Sequence, residues 1–460
     1  MTVTHCSRVR NFRRGDEVPL GCYQPNGLKT VQGNVVRILV LGGTGFIGSA
    51  LVARLASEGH QCLTISRGKA ETSSHRRLDV TKAVRPEDWI AALKGVDVVI
   101  NAAGALQDVA SKEIRGVHVT GVRALYQACE SCGVRRVIHF SAIGVDRDAP
   151  SQFSQTKREG EDVLMARDLD WIILRPSVVI GRAAYGGSAL LRGLAALPLM
   201  PRMPNTAPIQ PVHLDDLIET VRFFLRLDAP TRLALDIVGP RKMSFDAAIQ
   251  IFRRWLRLRP AWSFPLHPSV ASVLYRLGDL VHALGWHTPI TTTAQAEMRR
   301  GATGDPNLWQ RTTGIIPRDI EATLNREPAS VQERWFARLY AIKPVVFGVF
   351  GLFWISTGLI SLGAGYEYGM SLLREGGLPE RLGAATLTAG ALADIAIGLC
   401  IIYRPFSRAG LWAALSISVA YAVIGTALVP RLWSDPLGPM LKIWPVLVLN
   451  VVAMAIREGR

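Results

Sequence analysis

Short apolar runs alternate with helix-length segments along the first half of the chain. Residues 36–41 form an apolar, β-branched run of the kind found in strands that are covered on both faces. Segments with helical periodicity, such as residues 117–132, separate these runs. The further runs that predict strands lie at residues 61–66, 77–80, 96–104, 135–145, 171–181 and 235–239. This alternation predicts an α/β fold with a parallel, doubly wound sheet.

Apolar segments become much longer after residue 343. Four of them are predicted to cross a bilayer as helices, and they lie at residues 344–363, 382–403, 409–429 and 441–456. Each is bounded by charged residues, proline or glycine. The sequence therefore predicts that a four-helix transmembrane bundle follows the sheet.

A glycine-rich turn joins the first predicted strand to the first predicted helix. Gly42 permits a tight turn, Gly45 lets the backbone approach a pyrophosphate, and Gly48 lets the helix lie close to the strand. Backbone amides at the start of the helix, together with its positive dipole end, are suited to hold phosphates. Because the turn follows a strand and opens a helix, it predicts a dinucleotide-binding site.

The composition narrows the partners that this chain is expected to have. Its formal net charge is +16, but the arginines are scattered and no nucleic-acid-binding motif accompanies them, so we predict no nucleic-acid partner. A cytoplasmic face resting on anionic lipid accounts for the same charge. The six cysteines are dispersed, and the single CxxC, Cys129 and Cys132, has no second pair, so no metal site is predicted.

Several motifs occur in the order and spacing of a known family. They are GGTGFIG at 42–48, NAAG at 101–104, Ser141, Lys157, LRPSVVIG at 174–181 and PVHLDDL at 211–217. Residues 36–324 therefore resemble the atypical extended short-chain dehydrogenase/reductases, in particular the branch with the NADPH-binding accessory subunit of respiratory complex I and quinone reductase-like proteins. The resemblance implies a Rossmann sheet with a small α-rich cap. Through TGLISL and ALADIAIGL, residues 340–456 resemble the DoxX-like membrane family.

The resemblance also implies a catalytic pair with one member of the usual set missing. In that family a serine orients a carbonyl, a tyrosine donates a proton, and a lysine four residues later holds the ribose and lowers the pKa of the phenol. Ser141 and Lys157 match by position, but Phe153 occupies the position of the tyrosine. Ser141 is alternatively a strand-end hydroxyl without a catalytic role, and Tyr185 is a possible substitute donor or a structural residue of its loop.

The end of the second predicted strand favours NADP(H) over NAD(H). Sites that prefer NAD carry an acidic residue there, whereas an arginine accommodates a 2′-phosphate. Arg67 occupies this place beside Ser66, although it is alternatively a solvated loop residue. Asp79 resembles the carboxylate that contacts adenine, or it caps a turn. The residues predicted to bind the nucleotide are Gly42, Thr44, Gly45, Phe46, Ile47, Gly48, Ser66, Arg67, Asp79, Ala102, Ala103, Gly104 and Lys157.

Two further features suggest contact with the membrane. The run at residues 252–262 interleaves arginine with tryptophan, which is typical of an amphipathic stretch on a membrane surface or of a solvated basic helix in the cap. Asp394 lies near the middle of the second predicted span, with Asn450 of the fourth as its expected partner. Its carboxylate serves proton uptake or quinone contact, or it is a protonated packing residue.

These features predict four regions and a leading function. The regions are a disordered basic tail (1–34), an NAD(P)-binding Rossmann domain (35–240), its cap or substrate region (241–330) and a DoxX-like transmembrane domain (331–460). The leading function is a membrane-anchored NADP(H)-dependent oxidoreductase acting on a lipophilic acceptor such as a quinone. The alternative is a non-catalytic NADPH-binding module of a membrane complex, and nucleotide-sugar epimerisation ranks last because it ordinarily uses the missing tyrosine.

Charge placement predicts where this protein lies. Arginine and lysine are enriched at the ends of the spans that face the same side as the Rossmann domain. We therefore expect a multi-pass protein of the cell (inner) membrane with the Rossmann domain and both termini in the cytoplasm, either as a homo-oligomer or in a membrane complex.

Overall fold

The computed structural model describes residues 35–68, 71–105, 112–148, 150–286, 288–436 and 438–457. The predicted basic tail, residues 1–34, lies outside the described residues.

A parallel sheet of seven strands forms the centre of the first half of the chain. The strands of the protein are β1 (Arg37–Leu41), β2 (Gln61–Ser66), β3 (His75–Arg77), β4 (Val98–Asn101), β5 (Arg136–Phe140), β6 (Asp170–Pro176), β7 (Val179–Ile180), β8 (Leu199–Arg202), β9 (Val212–His213), β10 (Leu233–Ile237) and β11 (Trp262–Pro265). The sheet order is β10-β6-β5-β4-β1-β2-β3, and every neighbouring pair is parallel. Two parallel pairs, β8 with β11 and β7 with β9, lie outside it. This confirms the predicted doubly wound sheet.

The third strand lies earlier than the sequence predicts. The prediction placed it at residues 77–80, whereas β3 ends at Arg77. Asp79 instead forms a turn, because its carboxylate accepts hydrogen bonds from the amide and the hydroxyl of Thr81, at 3.1 and 2.8 Å.

Helices cover both faces of the sheet. Those that precede residue 330 are α1 (Phe46–Ser57), α2 (Glu87–Leu93), α3 (Lys112–Arg115), α4 (Gly121–Ser131), α5 (Gln152–Met165), α6 (Gly186–Ala196), α7 (Leu214–Phe224), α8 (Phe245–Trp255), α9 (Pro268–Ala283), α10 (Thr292–Arg300), α11 (Asn307–Thr313) and α12 (Ile320–Arg326). Alternate residues of β1 point to opposite faces, so Ile38 and Val40 join one apolar core while Leu39 and Leu41 join another. Two cores explain why the strands are apolar without alternation.

A third apolar core holds the cap. It unites α6 with α8 and α12, so residues from before position 240 contribute to it. Phe252 and Trp255 are 1% and 7% exposed, and the Arg253 guanidinium donates to the carbonyl oxygens of Ala195 and Leu197. The segment is thus a helix of the cap, as the second prediction had it, but Phe252, Arg253 and Trp255 are buried against neighbouring helices and only Arg254 of these four is exposed to solvent.

The last third of the chain is helical and apolar. Its helices are α13 (Val331–Leu362), α14 (Tyr366–Glu375), α15 (Glu380–Ile402), α16 (Ser407–Leu428) and α17 (Ile443–Arg457). Three of them, with the turn that precedes α16 counted as part of it, are long and apolar enough to cross a membrane. α17 has 15 residues, fewer than the roughly 20 that a full span needs.

The predicted pairing of Asp394 with Asn450 is wrong. Asp394 accepts a hydrogen bond from the Tyr421 hydroxyl at 3.0 Å, whereas the Asn450 amide donates to the Leu411 carbonyl at 3.1 Å. Both partners lie on α16, which stands beside each of the two helices that carry Asp394 and Asn450.

The sheet domain and the apolar helices pack directly on one another. Gly193 of α6 lies so close to the Tyr340 ring of α13 that a Cβ at that position would be 2.9 Å from Cγ. Trp286, which follows α9, packs against Phe347 with the ring centroids 4.4 Å apart and the ring planes tilted by 53°, and its indole N–H donates to the Ile402 carbonyl at 2.6 Å. The sheet domain is thus attached to the apolar helices through tertiary packing as well as through the chain.

Candidate functional site

The glycine turn after β1 forms a compact cradle at the start of α1. Gly42 adopts φ +77°, and the Gly45 amide donates to its carbonyl at 2.9 Å. A Cβ on Gly42 would lie 2.8 Å from the Ala102 carbonyl carbon and from the Ala103 amide nitrogen, so only glycine fits between the ends of β1 and β4. This contact brings the NAAG segment against the turn.

The space beside the Cα atom is open at Gly45 and filled at Gly48, as expected for a turn that binds a nucleotide. A Cβ on Gly48 would lie 2.8 to 2.9 Å from backbone atoms of Gly42 and Gly43, whereas a Cβ on Gly45 would meet only the Gly42 carbonyl oxygen, at 3.2 Å. The position of Gly45 is therefore open on the outer side. It is also the N-cap of α1, whose first turn carries no acidic residue and receives no side-chain cap. These features fit a pyrophosphate.

The cradle lies where ligands bind in open α/β sheets. β1 stands between β4 and β2, and the connections leave the sheet in opposite directions from this point. Ala102, Ala103 and Gly104 follow β4 directly, and the Asn101 side chain accepts from the Ala103 amide at 3.1 Å. The structure therefore places the GGTGFIG and NAAG segments side by side.

Lys157 is a buried cation at the same edge of the sheet. It lies on α5, is 5% exposed, and its Nζ donates to the carbonyl oxygens of Phe140 and Ala103, at 2.9 and 3.3 Å. Burial lowers the pKa of its ammonium to about 8, against a smaller opposing effect of the Glu161 carboxylate. A buried ammonium that spans β4 and β5 is suited to donate to ribose hydroxyls, because one of its three protons is not used by these two carbonyls.

Ser141 supplies an unused hydroxyl beside that lysine. It follows β5, immediately after the residue whose carbonyl Lys157 contacts, and its own amide donates to Leu174 at 2.8 Å. The hydroxyl is buried, and within the described part of the chain it has no hydrogen-bond partner. A buried polar group without a partner costs free energy unless a ligand satisfies it.

Phe153 lies where the resembled family has its phenol. It stands on the first turn of α5, one turn before Lys157, and its ring packs edge-on against the His118 ring with centroids 5.7 Å apart. Tyr185, the possible substitute, stacks on Phe46 of the glycine turn at 5.8 Å. Neither arrangement provides Ser141 with a phenol in the place of the missing one.

Two polar side chains behind the site, Tyr126 and His139, were missed at the level of sequence, and they bond to Asn101 of the NAAG segment. Asn101, Tyr126 and His139 form a closed triangle of hydrogen bonds of 2.9 to 3.1 Å. Burial, with a smaller contribution from the nearby Lys157 charge, holds the pKa of His139 well below its usual range. For His139 the sequence signal is a histidine within an apolar strand, and its partners come from β4 and α4.

His118 is a second buried histidine near Lys157, and its imidazole is likewise neutral. Its Nδ1 lies 2.9 Å from the Thr156 hydroxyl, and its Nε2 accepts from the Ala105 amide at 3.1 Å. Burial first, and then the positive charge of Lys157, lower the pKa of His118 well below its usual range. A neutral imidazole with both nitrogens engaged holds the Ala105 backbone and the Thr156 hydroxyl in place rather than donating a proton.

The end of β2 carries the predicted coenzyme selector. Arg67 follows Ser66, the last residue of β2, and Arg77 of β3 lies in register beside Ser66. Two guanidinium groups therefore leave the sheet at this edge. Sequence reasoning missed Arg77 because it placed β3 two residues too late. Among the described residues, no group of three or more His, Cys, Asp or Glu side chains is arranged to hold a metal ion.

Two family models match separate parts of the chain. An NAD(P)H-binding family matches residues 42–192, and the DoxX-like family matches residues 351–451. The chain therefore has an NAD(P)-binding, oxidoreductase-like domain joined to a DoxX-like membrane region.

Individual proteins show the same relationship. The chain is 30% identical over 299 residues to subunit 9 of the NADH dehydrogenase [ubiquinone] 1 alpha subcomplex of Rattus norvegicus, covering 62% of this chain and 77% of that protein. It is 26% identical over 193 residues to a ceramide reductase of Caulobacter vibrioides, covering 41% of this chain and 61% of that enzyme's length. The Bordetella bronchiseptica enzyme WbmG, solved with NAD, is 18% identical with a TM-score of 0.50, covering 65% of this chain and 94% of that chain, which shows the shared fold.

The glycine cradle, the parallel sheet and these similarities agree. The chain belongs to the family of NAD(P)-binding Rossmann proteins of the short-chain dehydrogenase/reductase and epimerase type that includes subunit 9 of the mitochondrial NADH dehydrogenase, and it carries a C-terminal DoxX-like domain.

Proposed function

We propose that this protein is a membrane-anchored NADP(H)-dependent oxidoreductase that delivers hydride to a lipophilic acceptor, with a quinone as the leading candidate. The observation that carries the proposal is that the sheet edge with Ser141 and Lys157 belongs to a domain packed onto apolar helices through Gly193 and Trp286. A reductase held against a bilayer has direct access to acceptors that dissolve in lipid. The relative named a ceramide reductase, whose name specifies a lipid substrate, supports the same choice.

The chemistry of the site favours an acceptor that takes its proton from water. Bound NADPH would supply the hydride. Lys157 would hold the ribose hydroxyls through its remaining proton, and the free Ser141 hydroxyl would orient the carboxamide or the acceptor oxygen. Phe153 donates no proton, and loss of a placed general acid typically removes about 10²- to 10⁴-fold in rate. A quinone reduced by hydride tolerates this loss, because water protonates the resulting oxyanion.

The preference for NADP(H) rests on Arg67, the residue after β2, and on Arg77 of β3, which lies in register with Ser66. A charge-assisted hydrogen bond to the 2′-phosphate contributes about 1.5–3 kcal/mol, or roughly 10- to 150-fold in affinity. We expect Arg67→Ser to weaken NADPH binding by this factor and to leave NADH binding unchanged. Arg54→Ala, which removes a guanidinium paired with Glu58 on α1, is the matched control. An equal loss of affinity for NADPH and NADH would refute the role of Arg67 in choosing between the two coenzymes.

The site assignment and the domain boundaries are part of the proposal. We propose the thirteen residues named from the sequence as the nucleotide-binding set, and residues 35–240, 241–330 and 331–460 as the domains, with α6 shared between the first domain and the cap. α17 is proposed as a fourth, shorter span. The Rossmann domain and both termini then lie in the cytoplasm of the cell membrane, since basic residues are enriched on that side.

Hydride transfer is tested with the full chain in lipid nanodiscs. NADPH absorbance at the nicotinamide band is followed with a short-chain quinone, and in parallel with a long-chain aliphatic ketone. We expect consumption with the quinone but little with the ketone, and Phe153→Tyr should raise the ketone rate alone. No quinone-dependent consumption above that of Lys157→Met would overturn the proposal.

A second function is favoured by one observation, the phenylalanine at the position of the phenol. A non-catalytic NADPH-binding module of a membrane complex needs no proton donor, and the subunit 9 relative is by name part of such an assembly. It predicts tightly held, unreactive nucleotide, copurifying proteins, and no effect of Ser141→Ala on the stability of the complex. These outcomes separate the two functions in one preparation.

A further inference from the structure

Helix α9 carries an exposed apolar face that no part of the described chain covers. Val270, Val273, Leu274, Leu277 and Leu280 are between 43% and 59% exposed. At 3.6 residues per turn these five positions fall within an arc of about 120°. Scattered exposed leucines are ordinary on a protein surface, but five along one helix face form a contiguous stripe.

The buried face of α9 fixes the helix in this orientation. On the side that faces the rest of the cap, α9 buries Ala271, Tyr275, Gly278 and His282. A Cβ on Gly278 would lie 2.8 Å from the Ile290 carbonyl carbon, so the helix is seated against that backbone. It therefore cannot turn its leucines inward without losing a close contact.

The polar face of α9 is separate from the apolar one. Arg276 is exposed there, and Asp279 accepts from the Thr292 amide at 3.1 Å at the start of α10. The helix thus has one face packed against the protein, one polar face, and one apolar face that the described residues leave exposed.

The carboxyl end of α9 is tied to the end of a membrane helix. One residue after α9, the Leu284 carbonyl accepts from the Arg404 amide at 3.0 Å. The Arg404 guanidinium lies over the Trp286 ring at 5.8 Å, and Trp286 contacts Ile402, the last residue of α15. Arginine and tryptophan at the end of a span mark the headgroup level. The end of α9 is accordingly within a few ångströms of that level.

The amino-terminal approach to α9 is also apolar and exposed. Trp262 of β11 is 83% exposed and lies in register with Leu199 of β8, which is 57% exposed. Two residues after β11, His267 caps α9. The exposed Trp262 therefore precedes α9, and Trp286, which contacts the end of α15, follows it.

We infer that the apolar face of α9, with Trp262, rests in the headgroup and acyl boundary of the bilayer and holds the cap of the Rossmann domain against the membrane. The occupant is lipid because the face is continuous, through Leu284 and Trp286, with the ends of the spanning helices. A helix of 16 residues, about 24 Å long, lying in the interface would close the cap over the lipid surface. The inference uses the membrane domain but does not depend on hydride transfer.

Spin labels on neighbouring positions of α9 test this placement. Leu277→Cys and Leu274→Cys lie on the apolar face, and Arg276→Cys lies on the polar face as the matched control. Each is labelled in the full chain, with the six native cysteines replaced by serine or alanine, and reconstituted in nanodiscs of phosphatidylcholine and phosphatidylglycerol. Collision rates with oxygen, which concentrates in lipid, and with a water-soluble nickel chelate give the depth of each label.

The result that we expect is opposite for the two faces. Labels at positions 274 and 277 should collide more often with oxygen than with the nickel chelate, and the label at position 276 should do the reverse. Frequent nickel collisions at 274 and 277 would overturn the inference. Protection of both labels from both reagents would also overturn it, because a second copy or a partner protein then covers the face. NADPH oxidation is not part of the readout, so its failure is a separate result.

Discussion

Replacement of two neighbouring glycines should separate nucleotide binding from folding. Gly45→Ala adds a methyl group whose only close neighbour is the Gly42 carbonyl oxygen at 3.2 Å, and the backbone there, at φ −77° and ψ 178°, is one that alanine readily adopts. Gly48→Ala instead drives a methyl group to 2.8–2.9 Å from backbone atoms of Gly42 and Gly43. Overpacking of this kind costs about 1–3 kcal/mol.

The two costs fall on different equilibria. In Gly45→Ala the methyl group occupies the space through which the pyrophosphate approaches, so 1–3 kcal/mol is lost from binding, about 5- to 150-fold in affinity. Its folding free energy should change by less than about 1 kcal/mol, because the weaker N-cap is offset by a less flexible unfolded chain. In Gly48→Ala the same cost falls on folding, and the apparent melting temperature should drop by several degrees.

NADPH fluorescence titration and thermal unfolding of the same nanodisc samples measure both quantities. We expect Gly45→Ala to bind weakly and melt like the native chain, and Gly48→Ala to melt early. If Gly45→Ala binds NADPH with native affinity, the phosphates do not lie at the start of α1. If Gly45→Ala also melts as early as Gly48→Ala, the open space beside Gly45 is misjudged.

Three further predictions follow from buried contacts. The affinity for NADPH should fall as pH rises through about 8, the pKa of the buried Lys157 ammonium, because binding uses its charged form. Lys157→Met should bind NADPH weakly, with an affinity that does not change over this pH range. A pH dependence that persists in Lys157→Met would contradict this. Trp286→Ala should loosen the cap from the bundle and speed limited proteolysis between them, whereas Trp335→Ala, at a position 63% exposed, should not. Glu161→Ala should cost about 1.5–3 kcal/mol of folding free energy, because Arg175 loses two charge-assisted hydrogen bonds and keeps only its pair with Asp146, whereas Asp228→Ala, in an exposed pair, should fall within about 0.5 kcal/mol of native stability.

The fold was predictable where the physical cause is local. The strand, glycine turn and helix around Gly42 follow from steric rules that act over a few residues, and the apolar spans follow from length and composition. The position of β3 was missed because the Asp79 turn competes with the strand through two side-chain hydrogen bonds. Residues 252–255 have the arginine and tryptophan content of an interfacial helix, but the burial of Phe252 and Trp255 depends on α6 and α12, which are distant in sequence.

The chemistry of the site was predictable only in part. Ser141 and Lys157 are identified by motif, but the unpaired hydroxyl and the contacts of the ammonium with two carbonyls depend on how β4, β5 and α5 meet. His118 and Tyr126 carry no local signal at all, since their partners are 13 to 38 residues away. The partner of Asp394 was misassigned for the same reason, because the sequence does not say which spans are neighbours.

The most direct test of the central claim is a structure of the full chain in nanodiscs with NADPH bound. We predict that the pyrophosphate lies on the amides at the start of α1, that the 2′-phosphate lies within hydrogen-bonding distance of Arg67, and that the nicotinamide lies beside Ser141 and Lys157 with one face open toward the bundle. A nucleotide bound away from Gly45, or a nicotinamide sealed on both faces by side chains, would contradict the account of this protein as a membrane-anchored reductase.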